Sequence, residues 1–311
     1  VVVPCYRVSG QVHDVLRRIG PEVARIFVVD DACPEHTGDV VARECEDSRV
    51  TVIRHRQNRG VGGATMTGYR AALAEGLDVV VKVDGDGQMD PAFIPTLVHA
   101  IGSGRADYTK GNRFYDFELL RGMPRVRLFG NALLSLVNKV ASGYWDVMDP
   151  TNGYTAIHRK ALARLPLDKL DERYFFESDM LFRLNTIRAV VRDVPMAARY
   201  EGEPSSLRVG RVAVSFPAKY LCAAGKRLFY SYFLRDFNAA SLQFLLAVVV
   251  GGAGVAFGIA KWIESTITGV PATPGTVMLA ALPTLVAIQL LLSALQFDIG
   301  NVPREPLQHL D

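Results

Sequence analysis

The sequence predicts a mostly parallel α/β sheet domain, followed by an amphipathic segment and two transmembrane α-helices. Three observations carry that expectation. Short β-branched runs alternate with helical patterns from Val1 onward, as in parallel strands joined by helical crossovers. Of 35 basic and 32 acidic side chains, only six (Lys261, Glu264, Asp298, Arg304, Glu305 and Asp311) lie after Phe237. Two long uncharged stretches fill that C-terminal part. The mean hydropathy of +0.15 is thus the average of two unlike polypeptides. A chain of 311 residues built this way is neither purely soluble, disordered nor collagen-like.

In chain order, residues 1–4, 25–30, 50–54 and 77–84 read as strands. The first opens without a Met, so a short segment is expected to precede it. Val12, Val15, Leu16 and Ile19 have helical spacing, as do Phe93, Ile94, Leu97, Val98 and Ile101. Val79-Val80-Val81-Lys82-Val83-Asp84 is nearly continuous, as suits a central strand buried on both faces. Cys5, Cys33, Cys45 and Cys222 show no CxxC pairing and read as reduced thiols. A net charge of +3 without a dense Lys/Arg run argues against a nucleic-acid partner.

Ligands of such sheets bind beyond the carboxyl ends of the strands. That rule selects Pro4-Cys5-Tyr6, Asp30-Asp31 and Asp84-Gly85-Asp86. The third is the sharpest. Two carboxylates two residues apart at the end of an apolar strand, with Gln88 following, suit Mg2+ or Mn2+ on a diphosphate. Asp30-Asp31 reads either as a hydrogen-bonding acid for a base or ribose, or as a turn and cap before Thr37. Loop 57–64 places glycines before a helix through Tyr69 and Leu73. They serve either phosphate binding or close packing; no Gly-Lys-Ser/Thr follows, which excludes a P-loop.

Residues 238–260 and 265–297 contain no charge, with apolar centres at 242–259 and 277–295. About 20 such residues cross a bilayer; a buried soluble hairpin is the alternative. Pro271, Pro274 and Gly275 make the pair antiparallel, and Pro283 should bend the second span unless neighbours accommodate it. Arg208, Arg211, Lys219, Lys226, Arg227 and Arg235 face only Asp236 before the first span. Positive-inside bias then puts the N-terminal domain and the C-terminus in the cytoplasm. In 212–234, Phe216, Tyr220, Leu221, Leu228, Phe229, Tyr232 and Phe233 alternate with bases. This reads as an interfacial helix with its aromatic side toward lipid, or as an ordinary amphipathic surface helix.

Taken together, these residues resemble the GT-A glycosyltransferases of family 2, in the polyprenyl-phosphate branch typified by dolichol-phosphate mannose synthases. The likeness covers nearly the whole chain. Val3-Pro4-Cys5-Tyr6, Val29-Asp30-Asp31 and Asp84-Gly85-Asp86-Gly87-Gln88 match its strand-one, nucleotide and metal motifs. Lys110-Gly111-Asn112-Arg113 and Asp149-Pro150-Thr151-Asn152-Gly153-Tyr154 match two further segments. Phe176-Glu177-Ser178-Asp179-Met180, Val194-Pro195, Arg199-Tyr200 and Ser205-Ser206-Leu207 resemble the close of its catalytic domain. Two places depart from the pattern: Arg7-Val8 stands for the usual Asn-Glu, and Ala32-Cys33-Pro34-Glu35 for Gly-Ser-Thr-Asp. Both fall where the nucleotide would be held. The absence of Gln-x-x-Arg-Trp argues against a processive polysaccharide synthase.

The resemblance implies a Rossmann-like GT-A domain over 1–207, amphipathic interfacial helices over 208–236, and a transmembrane hairpin with a short cytoplasmic tail over 237–311. It further implies a multi-pass protein of the inner (cytoplasmic) membrane that moves sugar from a UDP- or GDP-sugar to undecaprenyl or dolichyl phosphate, with inversion. A phosphate monoester is largely ionised above a second pKa of about 6, so a strong general base is less needed than charge stabilisation and positioning.

On this resemblance Asp86 leads the metal ligands, with Asp84 and Gln88 beside it, and all three join Pro4, Tyr6, Asp30, Asp31, Arg199 and Ser205 in holding the donor. Arg113 is the leading acceptor and catalytic residue. Arg127, Asn131 and Ser135 form a polar helical stripe, either solvated or a gutter for the lipid phosphate. Asp149 is read as orienting a sugar hydroxyl, as a base, or as a cap before Pro150. A homo-oligomer is expected from the short hairpin. The rival readings are a membrane-anchored transferase acting on a glycan or protein, and a non-catalytic membrane scaffold.

Overall fold

The computed structural model describes residues 1–115, 125–196 and 209–310, and the side chains among them outside 125–129 and 209–215. Its first half is built by alternation. Val2–Cys5 (β1), Val12–Arg18 (α1), Ile26–Asp30 (β2), Thr37–Glu44 (α2), Val50–Arg54 (β3), Gly60–Ala74 (α3) and Val79–Lys82 (β4) follow one another. A short 3-10 turn, Pro91–Phe93, leads into Ile94–Gly102 (α4), with the Asp90 side chain capping Ala92 N. Every residue of β1 and β2 is buried, because helices cover both faces of a parallel sheet.

The second half adds Tyr108–Asn112 (β5), Arg125–Ser142 (α5), Thr155–His158 (β6), Arg159–Arg164 (α6), Phe176–Thr186 (α7) and Val191–Pro195 (β7). The sheet has seven strands among the described residues, in the order β3-β2-β1-β4-β6-β5-β7. All pairings are parallel except those of β6, which runs antiparallel to both β4 and β5. The chain steps outward from β1 to β3 and then returns to place β4 on the other side of β1. The carboxyl ends of β1 and β4 therefore open a crevice, the place where such sheets take ligands.

Val209–Phe229 (α8) follows. Phe216 and Tyr220, which the interfacial of the two readings puts toward lipid, instead pack with Phe175, Phe182, Ala141 and Ala223 in an aromatic cluster. Tyr220 shares a 2.7 Å hydrogen bond with Ser178, and Arg227 donates to the carbonyl of Val140. The chain divides into two compact units, Val1–Arg227 with Pro303–Asp311, and Leu228–Val302.

The second unit contains Ala239–Thr268 (α9) and Pro274–Gly300 (α10). Both are long and apolar enough to cross a membrane. A buried soluble hairpin would hide its apolar side chains; here Trp262 is 77% and Ile267 80% exposed. Small residues bring the helices close. A Cβ at Gly251 would stand 2.6 Å from that of Ala287, and one at Gly254 would stand 2.9 Å from Pro283. Gln243 donates across the pair to Ser293 at 2.9 Å. At the base of α9, Asn238 and Ser241 form a capping box, and the Tyr232 hydroxyl donates to Asp298 at 2.5 Å. The second helix continues unbroken through Pro283.

After the hairpin the chain returns to the first unit. Asp107, fully buried before β5, accepts from Val190 N (2.8 Å), Leu307 N (2.9 Å) and Gln308 N (3.2 Å). The Gln308 side chain donates to the carbonyls of Ile101 and Ala106, and Lys160 donates to those of Gln308 and Leu310. Leu307 is buried beneath them.

Candidate active site

The crevice between β1 and β4 is a cleft of about 400 Å³ whose walls include Pro4, Tyr6, Asp31, Asp84, Asp86, Arg173 and Tyr174. It thus gathers five residues the sequence assigns to donor binding, and adds Arg173 and Tyr174. Gln88 sits just outside, its backbone N–H donating to Asp86 Oδ1 at 3.0 Å. That bond closes the turn through Gly87, whose φ of +79° is one that glycine adopts without strain.

Beneath the turn lies a buried cation. Lys82, 1% exposed, donates to Asp84 Oδ1 at 2.7 Å and to Gly153 O at 3.3 Å, with Glu177 Oε1 at 3.5 Å. Burial opposes its charge, but Asp84 and Glu177 outweigh it and hold the lysine pKa above its ordinary value. Among the described residues no three His, Cys, Asp or Glu side chains gather closely enough to hold a metal. Asp84 and Asp86 are nevertheless hard oxygen donors in an open cleft, with Gln88 just outside it. They fit a hydrated Mg2+ or Mn2+ that takes its remaining ligands from phosphate.

Asp30 and Asp31 are committed to the backbone. Asp30 accepts from Cys33 N at 2.7 Å and Gly38 N at 2.6 Å. Asp31 accepts from Arg59 N (2.8 Å) and Gly60 N (2.7 Å), and pairs with His55 Nδ1 at 2.7 Å. His55 in turn meets Thr67 at 2.8 Å. The two acids tie the end of β2 to the starts of α2 and α3. The glycines of loop 57–64 are closely packed: a Cβ at Gly60 would stand 2.6 Å from the Glu172 carbonyl, and Gly63 N donates to that oxygen at 3.0 Å. The two departures from the family pattern include the left-handed residues Arg7 (φ +59°) and Ala32 (φ +51°). At Ala32 the left-handed backbone costs a residue with a Cβ roughly 1 kcal/mol.

A second cluster stands at the end of β5. Arg113 donates through Nε to Asp149 Oδ2 at 2.7 Å and through Nη2 to Oδ1 at 3.0 Å. The Asp149 side chain is fully buried. Asp193 of β7 holds the two strands of this cluster together, accepting from Met148 N at 2.8 Å and from Asn112 Nδ2 at 3.0 Å. Its Oδ1 is buried without a partner, and burial raises its pKa to about 6. Lys110 is buried and donates to the Asn152 carbonyl; burial lowers its pKa to about 8. Ser135 of α5 donates to the Met148 carbonyl at 3.0 Å, next to Asp149. Asn131 is half-buried on the same helix. The side chain of Arg127, and Arg199 and Ser205 entirely, lie outside the described residues.

Residues 1–165, more than half the chain, match the family described as glycosyl transferase family 2. The chain belongs to that family. Its relatives include the UDP-N-acetylglucosamine–dolichyl-phosphate N-acetylglucosaminyltransferase of Methanococcus voltae, 28% identical over 71% of this chain and 92% of the relative. The undecaprenyl-phosphate mannosyltransferase of Micrococcus luteus is 31% identical over 63% of this chain and 81% of its own. Among solved structures, glucosyl-3-phosphoglycerate synthase from Mycobacterium tuberculosis, in complex with uridine diphosphate, shares the fold. Its TM-score is 0.54 at 21% identity, over 72% of this chain and 79% of that one. The protein is a glycosyltransferase with a GT-A-like fold and a pair of apolar helices.

Within this glycosyltransferase, the segment 149–154 bridges the two clusters. Asp149 meets Arg113, Asn152 donates to Gly111 O at 2.8 Å, and Gly153 lies against Lys82 and Asp84. Sequence reading assigned roles to Asp149 but none to Lys82, Glu177, Arg173, Tyr174 or Asp193. For Lys82 a signal existed: a lysine inside a strand that is buried on both faces needs a buried counter-charge.

Proposed function

We propose that this glycosyltransferase moves a sugar from a nucleotide-sugar donor to the phosphate of a polyprenyl phosphate at the cytoplasmic face of the membrane. The observation that carries the reading is the agreement of its relatives. Those named for transfer to dolichyl or undecaprenyl phosphate match this chain over 92% and 81% of their own lengths. The apolar helix pair supplies the reason such an acceptor is reachable. The basic residues between Arg208 and Arg235 support a cytoplasmic catalytic unit. The tail supports an even number of crossings, since the chain leaves the first unit at Arg227 and rejoins it at Pro303.

In this reading Pro4, Tyr6, Asp84, Asp86 and Gln88 face the donor, with Asp30 and Asp31 shaping its cleft from behind. Asp84, Asp86 and Gln88 would hold Mg2+ or Mn2+, which neutralises charge on the leaving diphosphate. Arg113 receives the acceptor phosphate, with Ser135 and Asn131 on the helix whose Ser135 meets the Met148 carbonyl. A lipid phosphate oxygen attacks the anomeric carbon from the face opposite the diphosphate. The new carbon–oxygen bond forms as the old one breaks, the nucleoside diphosphate leaves with the bonding pair, and the configuration inverts. The attacking phosphate is already ionised near neutrality, so no base is required, and Asp149 serves Arg113 instead.

The test is transfer from a panel of UDP- and GDP-sugars to undecaprenyl phosphate with Mn2+. The expected result is sugar in the lipid fraction with at least one donor, abolished by Asp86→Asn in a protein that still folds. Absence of lipid product with every donor contradicts the reading.

A further inference from the structure

The metal motif carries a positive charge of its own. We propose that Lys82 is the internal counter-ion of Asp84, holding that carboxylate in place and keeping the free protein's affinity for divalent metal low, so that metal and donor diphosphate bind as a pair. The inference rests on the metal reading above and extends it to how the site is loaded.

Lys82 is almost wholly buried, and its Nζ lies 2.7 Å from Asp84 Oδ1. An approaching dication meets this fixed cation at the same carboxylate, and like charges at such separations repel by an amount that burial enlarges. Glu177, in the first turn of α7, stands 3.5 Å from the ammonium and offsets part of its charge. The geometry depends on Gly153, since a Cβ there would stand 2.5 Å from Lys82 Nζ and 2.9 Å from Asp84 Oδ2. A buried lysine between carboxylates is costly to desolvate, and an apolar side chain would fill a central strand at lower cost. Its place directly under the acids is what a charge-balancing role requires.

The donor set points the same way. The described residues offer Asp84 and Asp86 without a third acid grouped beside them. The protein alone therefore presents a weak site, and diphosphate oxygens strengthen it by adding ligands and negative charge.

The positions of Lys82 and Glu177 predict opposite effects. In the full-length protein in detergent, Mn2+ binding is followed by electron paramagnetic resonance, first with Mn2+ alone and then with uridine or guanosine diphosphate. Lys82→Met should tighten Mn2+ binding without nucleotide by about tenfold and shrink the enhancement that nucleotide gives. Glu177→Gln should weaken it, and the double variant should return toward the parent. A lysine with only a structural role would change the melting temperature while leaving the Mn2+ affinity of the folded protein unmoved in both single variants. That result overturns the inference. Should Lys82→Met fail to fold, Glu177→Gln alone decides by the same criterion. A parent protein that binds no Mn2+ with either nucleotide overturns the metal reading itself, a distinct outcome.

Discussion

Arg113 and Asp149 lie 36 residues apart in sequence and form a two-pronged ion pair, with contacts of 2.7 and 3.0 Å. The carboxylate is fully buried while the guanidinium keeps about a third of its side chain exposed. Asp149 therefore fixes the plane of the arginine fork at the end of β5 and is itself held away from solvent. A bidentate pair of this kind gives orientation as well as energy. Orientation is what an arginine needs in order to receive a phosphate.

This pair predicts how its two members fail. Asp149→Asn should lower kcat/KM for the polyprenyl phosphate by roughly 10²-fold, mainly through KM, because the fork loses its fixed plane. The shape of the pH–rate profile should be kept. Loss of one limb of that profile would instead make Asp149 a base. Arg113→Lys should be nearly as damaging, since an ammonium cannot make the two-pronged contact.

Asp193 predicts a pH dependence of stability. Its folded pKa is raised to about 6 by burial, helped by the nearby charges of Asp149 and Asp146 and opposed by Met148 N and Lys110. A raised pKa means that folding favours the protonated acid. The contribution is fully present below the unfolded pKa of about 4 and is lost as pH rises through about 6. Asp193→Asn should thus be more stable than the parent at pH 7.5, by on the order of 2 kcal/mol, with the difference vanishing near pH 4. Thermal unfolding at the two pH values checks this. An equal effect at both would show that the lost carboxylate matters through packing alone.

The returning tail makes a third prediction. Removing residues 306–311 takes two backbone donors from the buried Asp107 and leaves it with Val190 N. A buried carboxylate stripped of partners costs about 3 kcal/mol, so the catalytic unit should melt several degrees lower. Asp107→Asn in the shortened chain should recover part of the loss. A truncated protein with unchanged melting would show that the tail only rests on the surface.

Much of this was legible in local pattern. The four early strands and the two spans follow from short β-branched runs and from uncharged length, which depend on near neighbours only. The Asp84-Gly85-Asp86 turn was visible for the same reason: it closes within a few residues on Gln88. Long-range pairing was not. Nothing around Asp149 reveals that its partner is Arg113, and nothing around Asp31 reveals that the backbone N–H groups of Arg59 and Gly60 occupy it. The aromatic face of 212–234 had two apolar destinations, and for Phe216 and Tyr220 the packing against Phe175 prevailed over lipid. Arg173 and Tyr174 reach the cleft because α3 and the loop before α7 pack closely at Gly60 and Glu172, a contact across more than a hundred residues.

The central claim is that the acceptor is a lipid phosphate. The most direct measurement is the partition of transferred sugar between chloroform and water, in reactions of the full-length protein with labelled donor, Mn2+ and membranes, with and without added undecaprenyl phosphate. The account predicts label in the chloroform phase that rises with added lipid phosphate and disappears in Asp86→Asn. Label that stays in a water-soluble glycan or on protein, indifferent to the lipid, would contradict it.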